Sequence, residues 1–412
     1  MTAISSASRP GGRLHLRELD WLMLVTVALC CLGLVMAVSV RGAQLDMGPL
    51  RVLREQGTKL LAALAMFLFA ALVPMRLIRR FAIPTFLLAT VACFLPRLMA
   101  LESHGASRWV KFGGFQFQPV EPARFCLVLA ASWLLARAGN GVKSFRNGFL
   151  PAMGCAVLLA AALAAQPDNG NALLVLMLAS LLALIAGVRV LHFVPFALGG
   201  IALLAYAATR HDYVRDRLAD FLATRPDSQV GLGLIAVGSG GMFGRGLGQG
   251  VMKLGYVPEA HNDFVFAIIA EELGFVGSLF VLTAFSLFGY VCYRLVRQMN
   301  DPFLRYLVCG YALMICMQAA VNLLVVSGWA PAKGIDLPFV STGGTSLMFC
   351  LAAVGLIGNA ARTDRAGTFS TVRDCRGSLT RGRVSFSFIV FRFVWRGVWA
   401  NSRSTGCMCC VW

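Results

Sequence analysis

An all-α polytopic membrane protein with ten transmembrane helices is the fold class that the sequence predicts, and three observations predict it. Of the 412 residues, 58% are hydrophobic and 14% charged, whereas soluble domains run at about 45–50% and about 25%. The apolar residues gather in runs near the ~20 residues that a helix needs to cross a bilayer. Basic residues collect in every second loop between those runs, as the positive-inside rule requires of cytoplasmic loops.

Taken in order, spans are expected near 22–40, 60–75, 81–99, 119–136, 149–166, 171–187, 190–208, 264–291, 304–326 and 344–360. Arg9, Arg13 and Arg17 precede the first. Arg76, Arg79 and Arg80 lie between the second and third, and Arg137, Lys143 and Arg146 between the fourth and fifth. Arg189 separates the sixth from the seventh; Arg294, Arg297 and Arg305 separate the eighth from the ninth. With ten spans all these groups fall on one side, which is cytoplasmic. The C-terminus returns there beside Arg362 and Arg365. The expected organisation is a cytoplasmic segment over 1–18, a membrane domain over 19–362 and a basic cytoplasmic tail over 363–412.

The opposite side carries its own cations. Arg108 and Lys111 follow the third span, and a large extracytoplasmic loop at about 209–263, between helices seven and eight, adds Arg210, Arg215, Arg217, Arg225, Arg245 and Lys253. Singly these read as a solvated loop face. Together they call for an anionic partner outside the membrane. The loop is longer than a plain connector needs. It holds nine glycines between Gly231 and Gly250, so its backbone can turn irregularly beside the membrane. It matches no nucleotide-binding glycine fingerprint.

The net charge of +18 is spread between apolar runs, which suits membrane lipids and lipid phosphates and argues against nucleic acid. Most of the thirteen cysteines lie inside apolar runs, where they act as small hydrophobes and not as a disulfide framework. Residues 366–412 carry seven arginines against one aspartate; their apolar piece at 384–391 is too short to span.

Four polar clusters punctuate the non-cytoplasmic ends: "GASRWVKFGGFQFQPVEPAR" from Gly105, "QPDNGNA" from Gln166, "YVPEAHNDFVFAIIAEELG" from Tyr256 and "APAKGIDLPFVSTGGTS" from Ala330. Proline and glycine there break helices and leave backbone amides facing a cavity, and such ends bind anions. Asp263 stands at the entry to the eighth span, where an ionisable group is costly and therefore a functional candidate. From position alone it reads equally as a helix cap or as a base. Glu121 and Arg124 are spaced to share a helix face, and either order the helix start or meet a ligand. Trp109 reads as an interfacial anchor or a stacking surface, and His261 as a structural or a contacting residue. Glu271 and Glu272 read as bonds to neighbouring helices, and Asp168 as a tie for the loop between spans five and six.

The four clusters resemble, in order and spacing, the signature motifs of the SEDS family (shape, elongation, division and sporulation proteins), whose pattern runs GASRWI, QPSE with a following lysine, QPDLGTA, LPEAHTDFIFA with EELG, and LPFVSYGGSS. The resemblance covers about 18–362. It departs at Val120, Arg124, Asn169, Asn171, Val257 and Thr342. It implies a polymerase of peptidoglycan glycan strands acting on lipid II at the outer face of the bacterial cytoplasmic (inner) membrane, and the third motif leans toward the family's division-type branch at the septum. It implies Asp263 as the acid/base residue. Substrate contacts would come from Arg108, Trp109, Lys111, Gln118, Glu121 and Arg124, then Lys253, Glu259 and His261, then Ser341, Gly343 and Gly344. The basic members would clamp the leaving pyrophosphate. A divalent cation (Mg2+ or Mn2+) is a candidate to share that charge, although no compact ligand cluster demands one. The expected partners are lipid II, the nascent glycan strand, a class B penicillin-binding protein and other division proteins. The tail matches nothing in the family pattern and is expected to be dispensable.

Overall fold

Long apolar helices, packed by their small residues and tied at their ends by polar side chains, make up the architecture. The computed structural model describes residues 11–44, 48–98, 110–112, 115–166, 168–198, 200, 209, 228–256, 262–331 and 334–373; side chains are described for these except 11–16, 44, 97–98, 110–116 and 366–373. The chain divides into two units, Met1–Gly367 and Thr368–Trp412, and the membrane-spanning segments belong to the first.

The helices are α1 (Gly11–Gln44), α2 (Pro49–Leu72), α3 (Met75–Ala92), the single turn α4 (Leu95–Leu98), α5 (Val120–Ala138), α6 (Leu150–Ala164), α7 (Asn169–Ala186), α8 (Gln229–Ser239), α9 (Val265–Gln298), α10 (Pro302–Val326) and α11 (Gly344–Arg373). A two-stranded antiparallel hairpin, β1 (Val110–Phe112) and β2 (Phe115–Phe117), precedes α5; the expectation of a purely helical chain does not include it. Among the described residues, eight helices are long and apolar enough to cross a membrane: α1, α2, α5, α6, α7, α9, α10 and α11 in whole or in part.

Two expected boundaries move. The second span is expected from 60, but α2 begins at Pro49. Its charged first turns are held in place from outside: Arg41 of α1 pairs with Glu55 at 3.1 Å, and Lys59 Nζ donates to the Thr342 carbonyl at 3.0 Å. Polar residues with partners extend a helix beyond its apolar run. α2 then stops at Val73–Pro74, so α3 starts at Met75 instead of near 81. The seventh expected span, 190–208, lies mostly outside the described residues.

Helix ends sort into two groups. At one end Glu18 of α1 accepts from Gln298 and pairs with Arg294 at 2.9 Å. Arg79 of α3 pairs with Asp301, the N-cap of α10. Asn359 and Arg362 of α11 donate to the last carbonyls of α2, at 2.7 Å (Val73) and 2.8 Å (Ala71), which satisfies acceptors that a helix C-terminus leaves open. Asp364 receives the backbone N–H groups of Asn300 and Asp301. Most of the basic loops predicted to share one side start or finish here. The four polar clusters belong to the other group of ends.

One core is formed mainly by α1, α2, α9, α10 and α11; a second by α3, α5, α6 and α7. α5 and α10 join them: Gly310 faces Val128, with a Cβ at 310 falling 2.6 Å from its side chain. Without a hydrophobic driving force between helices in lipid, close backbone approach of this kind does the packing.

α9 is broken at Gly274, whose φ is 67°, a left-handed conformation that a residue with a Cβ adopts at a cost. The break opens backbone groups, and the glycine-rich segment pairs four of them. Glu271 and Glu272 carbonyls accept from Arg245 and Gly246 N–H, both at 3.0 Å, while Phe275 and Val276 N–H donate to the Gly241 and Met242 carbonyls at 2.9 and 3.2 Å. This is how a helix can break inside a bundle without leaving polar backbone unsatisfied. The expected loop is therefore in part a helix, α8, and in part an insert that completes α9.

Candidate functional site

The half-helix 265–273 is buried on nearly every residue and carries Asp263 just before its start. The N-cap position of α9 is Phe264, one residue beyond Asp263. Asn322 of α10 fixes this entry: its Nδ2 donates to the Asp263 carbonyl and to the Ile335 carbonyl, each at 2.7 Å. One turn earlier, Gln318 Nε2 donates to the Asp336 carbonyl at 2.9 Å. Two amides on one face of α10 thus hold the third and fourth sequence clusters side by side.

The same two clusters are stitched through Asn262. Ser341 Oγ donates to the Asn262 carbonyl at 2.6 Å and accepts from Leu337 N–H at 2.8 Å. Thr342 Oγ1 donates to Asn262 Oδ1 at 2.8 Å. Asp263 Oδ2 lies against Gly334, where a Cβ would come within 2.8 Å. Between them Phe339 sits at φ 66°, a conformation that costs a residue with a side chain on the order of 1–3 kcal/mol and is kept where surroundings over-determine it. They do so here: Phe339 is buried, its ring lies 6.0 Å from Phe288, and α1 approaches so closely at Gly33 that a Cβ there would fall 2.6 Å from the Phe339 carbonyl.

The first cluster joins through α5. Gln118 N–H donates to Thr345 Oγ1 at 3.4 Å, at the start of α11. Glu121 and Arg124 are 6% and 3% exposed and form an ion pair across three residues. Arg124 lies within electrostatic reach of Asp336. Its Nε has no hydrogen-bond partner among the described residues, and a buried donor left so is costly unless a ligand uses it. Gly343 and Gly344 lie against Asp336 and Lys59 respectively. Lys111 lies in β1 opposite Gln116. Arg108, Trp109, Glu259 and His261 lie outside the described residues.

Lys253, expected among the residues at the pyrophosphate, is 2% exposed and donates to Glu272 at 2.6 Å and to Ser39 of α1 at 2.8 Å. Glu272 also accepts from Ser39 and from Gly248 N–H, and Glu271 accepts from Val251 and Met252 N–H. The two glutamates therefore bind the glycine-rich segment to the break in α9, and Lys253 neutralises one of them. Lys253→Met is expected to leave Glu272 buried without its counter-charge, a loss of roughly 3–5 kcal/mol for a broken buried pair. Residues 240–256 should then be cleaved much faster in limited proteolysis; unchanged cleavage would remove the pair from that role. Asp168 behaves as expected, accepting from Asn171 N–H and Nδ2 at the start of α7.

Lys59, Gln318 and Asn322 lie at the candidate site although no quoted motif contains them, and Asn262 and Asp336 lie there within the third and fourth motifs. Gln318 and Asn322 do carry a signal, since polar residues one turn apart inside an apolar span are expensive. Among the described residues no group of three or more His, Cys, Asp or Glu is arranged to hold a metal ion. A magnesium ion is often held by one or two carboxylates together with substrate phosphates, so a smaller protein donor set such as this one fits that manner of binding.

Known proteins share both the sequence and the fold. The family model described as cell cycle protein, covering FtsW, RodA and SpoVE, matches residues 20–366. A probable peptidoglycan glycosyltransferase FtsW from Geobacter metallireducens is 33% identical over 362 residues, covering 84% of this chain and 96% of that protein. Stage V sporulation protein E of Bacillus subtilis is 33% identical over 289 residues, covering 68% of this chain and 79% of that one. Among solved structures, a peptidoglycan synthase complex that coordinates polymerization and crosslinking superposes with a TM-score of 0.69 at 27% identity, covering 83% of this chain and 97% of that one. The rod shape determining protein RodA of Thermus thermophilus superposes at 0.63 and 27% identity, covering 83% and 96%. With a matching model over most of its length and relatives of this coverage, this multi-pass membrane chain belongs to the FtsW/RodA/SpoVE family of cell cycle proteins.

Proposed function

We propose that this chain is a peptidoglycan glycosyltransferase that polymerises lipid II into glycan strands at the outer face of the cytoplasmic membrane, for septal wall synthesis. The observation that carries the reading is the meeting of three separated motifs, around Asp263, Arg124 and Asp336–Thr345, at one end of the bundle. Its ten-span form adds α3 and the region 190–208 to the eight apolar helices, with both termini cytoplasmic and this end of the bundle outside.

Glycosyl transfer from a lipid diphosphate requires a base for the attacking hydroxyl and a sink for the leaving charge. Asp263 supplies the base, accepting the proton of the acceptor sugar's 4-hydroxyl as its oxygen attacks the donor's anomeric carbon. A positioned carboxylate contributes about 10²–10⁴-fold. The bond to the diphosphate breaks, and its charge meets Arg124, with Lys59 and the start of α11 close by; fixed donors of this kind stabilise developing charge most where water is excluded. Arg108 and Lys111 are added to that clamp on the strength of the family pattern. A Mg2+ or Mn2+ ion, when bound, would neutralise phosphate oxygens. The division-type assignment rests on the relatives named FtsW, and a class B penicillin-binding protein is the partner that would crosslink the strands.

Purified chain, fluorescent lipid II and such a partner test this directly. Long glycan products on a gel are expected. Label crossing a bilayer without polymer would indicate a lipid transporter instead. A tagged copy on the lateral wall, not the septum, would move the protein to the elongation-type role.

A further inference from the structure

Gly343 and Gly344 separate two side chains of opposite charge. A Cβ added at Gly343 would overlap Asp336 Oδ2, and one at Gly344 would fall 3.3 Å from the Lys59 stem. Lys59 comes from α2, Asp336 from the segment that Gln318 and Asn322 hold against Asp263. Asp336 lies within electrostatic reach of both Lys59 and Arg124. Arg124 already has Glu121 as its ion-pair partner. Among the described residues the Asp336 and Glu121 carboxylates stand against Lys59 and Arg124, with the Arg41–Glu55 pair beside Lys59, where an anionic lipid would place its diphosphate, so these cations meet negative charge before any ligand arrives.

We propose that Asp336 is a positioning and affinity-setting residue: its carboxylate occupies the field of Lys59 and Arg124, restrains the site's hold on diphosphate-bearing lipid and so speeds release of the diphosphate product. This deepens the glycosyltransferase reading and rests on it. A polymerase that adds one unit after another must release a lipid diphosphate each cycle, and product release commonly limits turnover. A site with one carboxylate fewer against these cations would hold that product longer.

The test is binding of undecaprenyl diphosphate to the full chain in detergent micelles, alongside polymerisation of lipid II by the same preparations. Asp336→Asn removes one negative charge from a half-buried position, so the variant should bind roughly three- to tenfold tighter. The gain should shrink as salt rises, because partly exposed charges are screened. Added undecaprenyl diphosphate should inhibit polymerisation by the variant at lower concentration than it inhibits wild type. Asp336→Glu keeps the charge and should bind within about twofold of wild type, a rescue that a purely structural change would not produce. Equal or weaker binding by Asp336→Asn, or tightening that ignores salt, overturns the proposal while leaving the polymerase reading intact. Wild type that neither polymerises lipid II nor binds the diphosphate overturns both.

Discussion

Asp263→Asn should abolish glycan polymer while leaving the protein folded and able to bind lipid II. The amide keeps the size of the carboxylate and one acceptor oxygen, but it cannot take the proton of the attacking hydroxyl. Loss of a general base predicts a rate lower by about 10²–10⁴-fold. Bonds to backbone carbonyls hold the local frame. Asn322 grips the backbone carbonyl of Asp263, and Ser341 grips that of Asn262, so the entry to α9 should survive. Were Asp263 only a helix cap, Asn would serve nearly as well, because the two are similar N-caps. The measurement is strand length on a gel at matched amounts of folded protein with the partner present. Near-normal polymer would remove Asp263 as the base and make Glu121 the next carboxylate to test.

The second large effect is expected at Arg124. Arg124→Ala leaves Glu121 buried at 6% exposure without its partner, which costs roughly 3–5 kcal/mol when a buried pair is broken. It also removes a guanidinium from the leaving group, worth about 10²–10³ in rate for a stabilising donor. Arg124→Lys keeps the charge, as the family pattern does, and should retain much of the activity, although it cannot reproduce a forked contact. The double change Glu121→Gln with Arg124→Met separates the two effects. It removes both charges at similar volume, so thermal stability should recover toward wild type. Polymerisation should not recover if Arg124 meets the diphosphate. Recovery of both would make the pair a support for the start of α5 and nothing more.

The apolar helices and their order were legible because they follow from a solvent. Burial of apolar side chains in lipid acts on each run of sequence separately, so the runs of α1, α5, α6, α7, α9, α10 and α11 announced themselves one by one, and the basic loops announced their shared end. Asp263 stood out as a candidate for the same reason, being an ionisable residue where lipid makes one expensive. The Glu121–Arg124 pair was legible because a helix brings residues three apart onto one face.

Contacts between distant segments could not be read in this way. Nothing local to "GYVPEAH" or to the glycine run says that Lys253 turns inward to Glu272 and Ser39, or that the glycine-rich segment replaces the hydrogen bonds of a broken α9. Lys59 lies outside the span expected at 60–75, and the fold lays it against Gly344 and the Thr342 carbonyl. Gln318 and Asn322, outside the motif that holds Asp336, fix the Asp336 segment beside Asp263. The sequence by itself determined which segments lie in lipid and which residue types are too costly to stand there without a purpose, since each segment's transfer from water depends on its own composition. The tertiary structure alone decided which charges meet, because a buried ion takes whichever counter-charge the packing brings within reach.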